Sequence, residues 1–163
     1  MGESENRIVR VEIDNPGVVR FHPDVEREIE VAIYDLIEAN VFAPDKAYFG
    51  AVSAGPFALV LRVQGRQLQF DIAGEDGAMV GALSLPLTPF RKIIKDYFTV
   101  CESYYEAIRS STPAQIEALD MGRRGLHNEG SDQLRELLDG RITIDHDTSR
   151  RLFTLICALH IRA

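Results

Sequence analysis

The longest periodic stretch of the chain lies between Pro89 and Arg109. Apolar and aromatic residues recur there every three or four positions, which is the spacing of one face of an α-helix. That face comprises Phe90, Ile93, Ile94, Tyr97, Cys101, Tyr104, Tyr105 and Ile108. Thr88-Pro89 suits a helix start, because a threonine oxygen can accept a bond from a free backbone N–H and proline fits the first turn. The pattern predicts a long amphipathic helix whose aromatic face lies in the core.

Alternation of apolar and polar residues predicts strands in the first half of the chain. The strands are expected at residues 7–13, 57–63, 68–72 and 78–85. Short glycine-containing turns separate the last three, so these should form an antiparallel meander that the first strand joins. A small sheet needs one covered face, and the long helix is the expected cover. Residues 40–56 lack a clear period and are predicted to be mainly loop.

Further helices are predicted on either side of these elements. One begins after Pro23, with Asp24 as its candidate cap, and carries apolar residues at helical spacing. Thr112-Pro113 with Gln115 forms a capping box that begins a shorter helix, followed by a loop over 120–130 and a short helix over 131–138. Ile142 and Ile144 alternate as in a brief strand. The last helix, capped by Asp147 or Thr148, is almost continuously apolar and should be buried between elements.

These elements predict a single α+β domain over residues 1–163. An antiparallel sheet of about four strands, packed by an N-terminal helix and a long amphipathic helix, would occupy residues 1–86. A helical half would follow over 87–163. The apolar surface of the long and last helices exceeds what one sheet contact requires, which favours a homodimer.

Composition and charge indicate which ligands and which cellular location to expect for the chain. The formal net charge of −7 disfavours broad binding to nucleic acid, since a phosphate backbone repels an acidic chain. The longest uncharged run, residues 47–61, is interrupted by glycine and proline and is too short to span a membrane. The acidic N-terminus differs from a signal peptide, so a cytoplasmic location is expected. Cys101 and Cys157 lie among apolar residues and should be buried structural thiols; no metal site or cofactor is predicted.

Residues 120–130 hold the densest set of reactive side chains. The candidates are Arg123, Arg124, His127, Asn128 and Glu129, interspersed with three glycines. Paired guanidiniums suit bidentate capture of phosphate or carboxylate, and a histidine can act as a general base. Three interpretations stay open: a structural polar hub in which Asp120, Glu129 or Asp132 neutralises the arginines, a binding site for an anion or a protein partner, and a catalytic site.

A second arginine pair, Arg150-Arg151, lies near the start of the last helix. Positive charge there is unfavourable against the helix dipole unless something negative compensates it. Intramolecular acids could do so, and so could a bound anion.

Four long strings carry a resemblance to a known family. LTPFRKIIKDYF, CESYYEAIRS, QIEALDMGRRGLHNEGS and DTSRRLFTLI are similar to those of a bacterial family of unknown function, uncharacterised protein family 0262. The resemblance implies a small cytoplasmic bacterial protein. It assigns no catalytic or binding residues.

Two hypotheses about function follow from the residues. The first is a non-enzymatic binding or regulatory protein that recognises an anionic ligand or a protein partner. The second is a small hydrolase or transferase in which His127 is the general base while Arg123 and Arg124 hold a phosphoryl or carboxylate group. An enzyme should concentrate titratable groups with shifted pKa values in a concave pocket, whereas a binding protein needs only a surface patch. The two hypotheses are therefore distinguished by whether His127 lines a cleft open to solvent or is tied into the core.

Overall fold

A computed structural model describes residues 5–14, 23–50 and 55–160 of the chain, with backbone alone at 23–25 and at 160. The described strands are β1 (Ile8–Asp14), β2 (Phe42–Pro44), β3 (Phe57–Gln64), β4 (Gln67–Gly74), β5 (Met79–Pro86) and β6 (Ile142–Ile144). The described helices are α1 (Pro23–Glu38), α2 (Lys46–Phe49), α3 (Thr88–Ser110), α4 (Pro113–Leu138) and α5 (His146–His160). This arrangement confirms the predicted α+β class and the helical second half.

The main sheet has the strand order β1-β3-β4-β5. The predicted meander is confirmed, because β3, β4 and β5 pair antiparallel with Leu61 opposite Phe70 and Phe70 opposite Leu83. These three side chains are buried on one face. The first strand differs from the expectation, since β1 pairs parallel with β3. The chain between them contains α1, and parallel neighbours need a long crossover of this kind.

The outer edge of β1 is closed by a side chain. Asn40 Oδ1 accepts a hydrogen bond from the Ile8 N–H at 2.7 Å, and Asn40 Nδ2 donates to the Ile8 carbonyl at 2.9 Å. The same nitrogen donates to the carbonyl of Leu36 near the end of α1. Asn40 thereby satisfies backbone groups that an edge strand would otherwise leave unpaired.

Helix α5 lies at the centre of the molecule. Its buried apolar residues point in every direction: Leu152, Phe153, Leu155, Ile156, Cys157, Ala158 and Leu159. They pack against α1, α3, α4 and β3, which confirms the predicted burial between elements. The sequence led us to expect α3 as the cover of the sheet. Instead α5 makes the closer approach to β3, while α3 packs chiefly along α4. Residues 152–159 of α5 are apolar at every position except Thr154, so this part of the helix can pack against several elements at once.

The aromatic face of α3 is buried at Phe90, Ile94, Tyr97 and Cys101. Towards the end of the helix this burial is lost, and Ile108 is 53% exposed. The predicted cap at Thr88 is wrong. The helix already begins there, and the preceding Leu87 makes no side-chain capping bond.

The largest difference between the predicted and the observed elements lies in helix α4. The capping box is confirmed, with Thr112 and Gln115 exchanging hydrogen bonds of 3.2 and 3.3 Å. The helix then continues to Leu138, so residues 120–130 are helical and not a loop. Gly130 permits a close approach of two helices, because a Cβ there would overlap the ring of Phe153. Contacts of this kind offset the low helix propensity of glycine, which costs about 1 kcal/mol per residue.

Smaller corrections concern helix starts and residues 40–56. Asp45 caps α2, and the segment before it forms β2, which pairs antiparallel with β6. The predicted caps of α5 are wrong, since Asp145 Oδ1 accepts from the Thr148 N–H at 2.9 Å. The Thr148 hydroxyl instead accepts from the Val41 N–H at 3.0 Å. The Asp24 side chain, the predicted cap of α1, lies outside the described residues.

Both cysteines are buried and free, as predicted. Burial raises the pKa of the Cys101 thiol to about 11, so this thiol is protonated at neutral pH. Within the described ranges, no helix is both long and apolar enough to cross a membrane.

Candidate functional site

The helical conformation of α4 sorts the predicted site residues onto different faces. Arg123, Arg124, His127 and Asn128 line a cleft of about 1010 Å³ between α1, α3, α4 and α5. Glu129 is exposed and does not line it. That carboxylate lies on the side of α3, where Asp96 and, more weakly, Glu129 raise the pKa of Lys92. The structure therefore brings four of the five predicted residues to one site.

The cleft is rich in arginine. The arginines in its lining are Arg27, Arg123, Arg124, Arg150 and Arg151. The carboxylates in its lining are Glu28, Asp35 and Asp147. Even with Asp120, a fourth carboxylate that pairs with Arg123 and Arg124 from outside the lining, the five arginines leave a local excess of positive charge in a chain whose formal net charge is −7. Such a concave patch favours negatively charged ligands.

Arg123 and Arg124 already have an intramolecular partner. Asp120 accepts from Arg123 at 2.6 Å and from Arg124 at 3.0 Å. Arg123 also lies 3.7 Å from Glu28. Burial alone would lower the pKa of Arg123, but the Asp120 carboxylate and further acidic groups outweigh it, and the pKa is raised. Asp120 thus supplies much of the negative charge that the sequence left to an acid or a bound anion.

The unpaired positive charge lies on α1 and α5. Within the described part of the chain, the guanidiniums of Arg27 and Arg150 make no hydrogen bond or ion pair. Both side chains are exposed. Arg151 donates one bond to the Ala39 carbonyl at 3.3 Å, so part of its donor set is used. The guanidiniums of Arg27 and Arg150 are therefore free to bind an incoming anion.

His127 lies at the floor of the cleft and is only 8% exposed. Its ring packs edge-on against Tyr97 and Phe153, with centroid separations of 5.4 and 5.2 Å. Nε2 lies 2.8 Å from Thr154 Oγ1, and the Thr154 hydroxyl donates to the Arg150 carbonyl at 3.3 Å. We therefore assign the imidazole proton to Nε2. Nδ1 is buried without a hydrogen-bond partner among the described residues.

The surroundings of His127 keep it neutral. Burial lowers the pKa to about 4, and the positive charges of Arg150 and Arg123 act in the same direction. An imidazole with this pKa is uncharged at neutral pH. It can donate one hydrogen bond through Nε2 but contributes no positive charge to the site.

Sequence reasoning missed the α1 wall of the cleft. Arg27, Glu28 and Asp35 lie among many acidic residues on a helix that the sequence presents as an ordinary solvated face. Nothing local connects them to α4, about a hundred positions later. The Arg150-Arg151 pair did carry a signal, since its placement near the start of a helix called for a compensating negative charge.

The whole described chain matches one family. The model of Uncharacterised protein family (UPF0262) covers residues 5–162. The chain belongs to family UPF0262. This confirms the resemblance seen in the four sequence strings.

Three similar curated proteins are each named as a UPF0262 protein. One from Rhodopseudomonas palustris (strain TIE-1) is 54% identical over 97% of this chain and 94% of its own length. One from Bradyrhizobium diazoefficiens is 55% identical over 97% and 93%, and one from Nitrobacter winogradskyi is 53% identical over 97% and 92%. No solved structure matches this UPF0262 chain.

In the described part of this UPF0262 chain, no group of three or more histidine, cysteine, aspartate or glutamate side chains is placed to hold a metal ion. The chemistry on offer in the cleft is that of guanidinium, imidazole, amide, hydroxyl and carboxylate groups.

Proposed function

We propose that the protein is a small non-enzymatic binding protein whose helical cleft recognises an anionic small molecule. The observation that carries the proposal is the pair of free guanidiniums, Arg27 and Arg150, in one cleft of an otherwise acidic chain. Arg124 and Arg151 have donors left for the same ligand. A cytoplasmic location, expected from the sequence, stays a prediction.

The physical support is electrostatic. Arginine offers planar, bidentate donor geometry that matches carboxylate and phosphate oxygens. Each charge-assisted hydrogen bond contributes about 1.5–3 kcal/mol to binding. Unpaired guanidiniums that share a concave site also repel one another, and an anion between them relieves this repulsion. The concavity and volume of the cleft fit a small ligand better than the broad, flatter surface of a protein partner.

The alternative is a hydrolase or transferase with His127 as general base. Efficient general bases have pKa values near the working pH, whereas the pKa of His127 is lowered to about 4. Among the described residues, no carboxylate orients the ring through Nδ1, which has no partner. Arg123 and Arg124 are held by Asp120. These features favour a binding role for the cleft.

A thermal-shift titration tests the proposal. Phosphate, sulfate and a panel of nucleotides and organic acids are added while Tm is followed, because a ligand of the folded state must raise Tm. At about 100 times the dissociation constant the fold gains about 2.7 kcal/mol, a rise in Tm of about 5–10 °C for a chain of this size.

Matched variants separate the cleft from general charge. The double variant Arg27→Ala/Arg150→Ala should weaken binding at least about tenfold for each arginine removed. Arg91→Ala is the control, since Arg91 is exposed on α3 and does not line the cleft. The absence of any shift with every anion at millimolar concentration, or equal losses in the double variant and the control, would leave the cleft without this function.

A further inference from the structure

The size of the cleft bears on the kind of anion. Small-molecule sites occupy about 300–1,000 Å³, and the cleft has a volume of about 1010 Å³. An inorganic phosphate or sulfate would contact two or three arginines and leave most of that space to water. A ligand that fills the cleft therefore needs a body attached to its charged group.

The walls of the cleft indicate what that body is made of. Val31 on α1 and Ile108 on α3 both line the cleft, and they are 50% and 53% exposed. Single exposed apolar residues are common on protein surfaces. Here two of them, on different helices, share one concavity with Tyr97 and Tyr105. An apolar ligand surface would remove this area from water.

The charged and apolar parts are adjacent. Arg27 and Val31 are four residues apart on α1, so they lie on the same face with Cβ atoms about 6 Å apart. A molecule whose anionic group contacts Arg27 would pass along Val31 within the length of a few methylene groups. Free guanidiniums next to exposed aliphatic side chains are complementary to a ligand that is charged at one end and apolar along its body.

We propose that the ligand is an amphipathic organic anion, with its carboxylate or phosphate at Arg27 and Arg150 and its apolar body against Val31 and Ile108. This inference rests on the proposed anion-binding function and adds the chemical class of the ligand. Carboxylate and phosphate share the recognition chemistry of the arginines, and the test below distinguishes them.

The test is a homologous series measured by calorimetry. Acetate, butyrate, hexanoate and octanoate form one arm, methyl, butyl and hexyl phosphate form a second, and hexanol supplies the apolar body without the charge. Burial of methylene groups should raise affinity about fourfold per methylene until the apolar wall is covered. The arm with the higher affinity at equal length identifies the head group, and hexanol should bind at least about tenfold more weakly than hexanoate.

Serine variants locate the apolar wall. Val31→Ser/Ile108→Ser should flatten the dependence on chain length while leaving the affinity for acetate or methyl phosphate unchanged. Met79→Ser is the matched control, because Met79 is 63% exposed on β5 and does not line the cleft; it should leave the dependence intact.

The outcomes distinguish the two proposals. Short anions that bind through Arg27 and Arg150 with no gain along the series would overturn the amphipathic ligand and leave the anion site standing. If hexanol bound with the same affinity as hexanoate, the arginines would have no role in recognising this ligand class. Failure of every anion in both arms would remove the proposed function together with the inference.

Discussion

His127 is kept neutral by apolar and positively charged neighbours, and this has a consequence for stability. Its pKa is lowered to about 4 in the folded protein, against about 6.5 in an unfolded chain. Between these values the unfolded state binds the proton and the folded state does not. The contribution of His127 to the free energy of unfolding is therefore fully present above about pH 6.5 and is lost as the pH decreases towards about 4.

We predict that His127 accounts for a loss of about 2 kcal/mol in the free energy of unfolding between about pH 7.5 and about pH 5. Urea denaturation at the two pH values measures it, and His127→Gln should reduce the pH dependence by that amount. His146→Gln is the control, because His146 lies at the same cleft but is exposed. Equal pH dependence in the parent and His127→Gln would mean that the imidazole is solvated.

At the scale of single elements, α4 contains three glycines in unequal surroundings. A Cβ at Gly125 would meet nothing within 4 Å, and one at Gly122 would make an ordinary contact with Val100. A Cβ at Gly130 would overlap the buried ring of Phe153. One helix therefore combines glycines that only weaken it with a glycine that its packing requires.

We predict opposite effects of the same substitution. Gly125→Ala should stabilise the protein by about 0.5–1 kcal/mol, because alanine restricts the unfolded chain and favours the helix. Gly130→Ala should destabilise it by about 1–3 kcal/mol through overpacking. Chemical denaturation measures both. Destabilisation by Gly125→Ala would indicate that residues 120–130 form the loop that the sequence suggested.

The two ends of the α3 stripe should also differ. Ile94→Ala is expected to cost about 2–5 kcal/mol, since Ile94 is fully buried. Ile108→Ala should cost less than about 1 kcal/mol, since that side chain is half exposed. Denaturation midpoints of the two variants compare them directly. Similar losses in both would place Ile108 in the core and remove it from the proposed ligand wall.

The elements that periodicity predicted correctly are those whose burial is continuous. One side of α3 from Phe90 to Cys101 packs on the core, and so does one side of β3 and β4. Contact of this kind produces a periodic pattern of apolar residues in the local sequence, so it can be predicted from that pattern. The loop predicted within α4 was wrong because glycine has a low helix propensity, and because the contact of Gly130 with Phe153 cannot be seen in the sequence. The parallel pairing of β1 likewise depends on where α1 crosses.

The sequence predicted only part of the candidate site, for a related reason. Arg123, Arg124, His127 and Asn128 are neighbours in sequence, so they could be found together. Arg27 and Asp35 join them only because α1 packs on α5. The pairing of Asp120 with both arginines needed the helical spacing of three and four residues, which a loop would not provide.

At the scale of the whole molecule, contacts within one chain cover the apolar helix surfaces that led us to expect a homodimer. The apolar surface of α5 is covered by α1, α3, α4 and β3, and the inner face of α3 packs along α4. The dimer stays a prediction, and sedimentation at micromolar concentration measures it. A single species of about 18 kDa would contradict it.

The central claim is that the free guanidiniums of Arg27 and Arg150 form an anion site. The most direct measurement is a titration with inorganic phosphate followed through the NMR resonances of the arginine Nε–H groups. We predict that the resonances of Arg27 and Arg150 shift together along one saturation curve, while that of Arg91, which is exposed on α3 and does not line the cleft, does not move. Immobile resonances for Arg27 and Arg150, or an equal response from Arg91, would contradict the account.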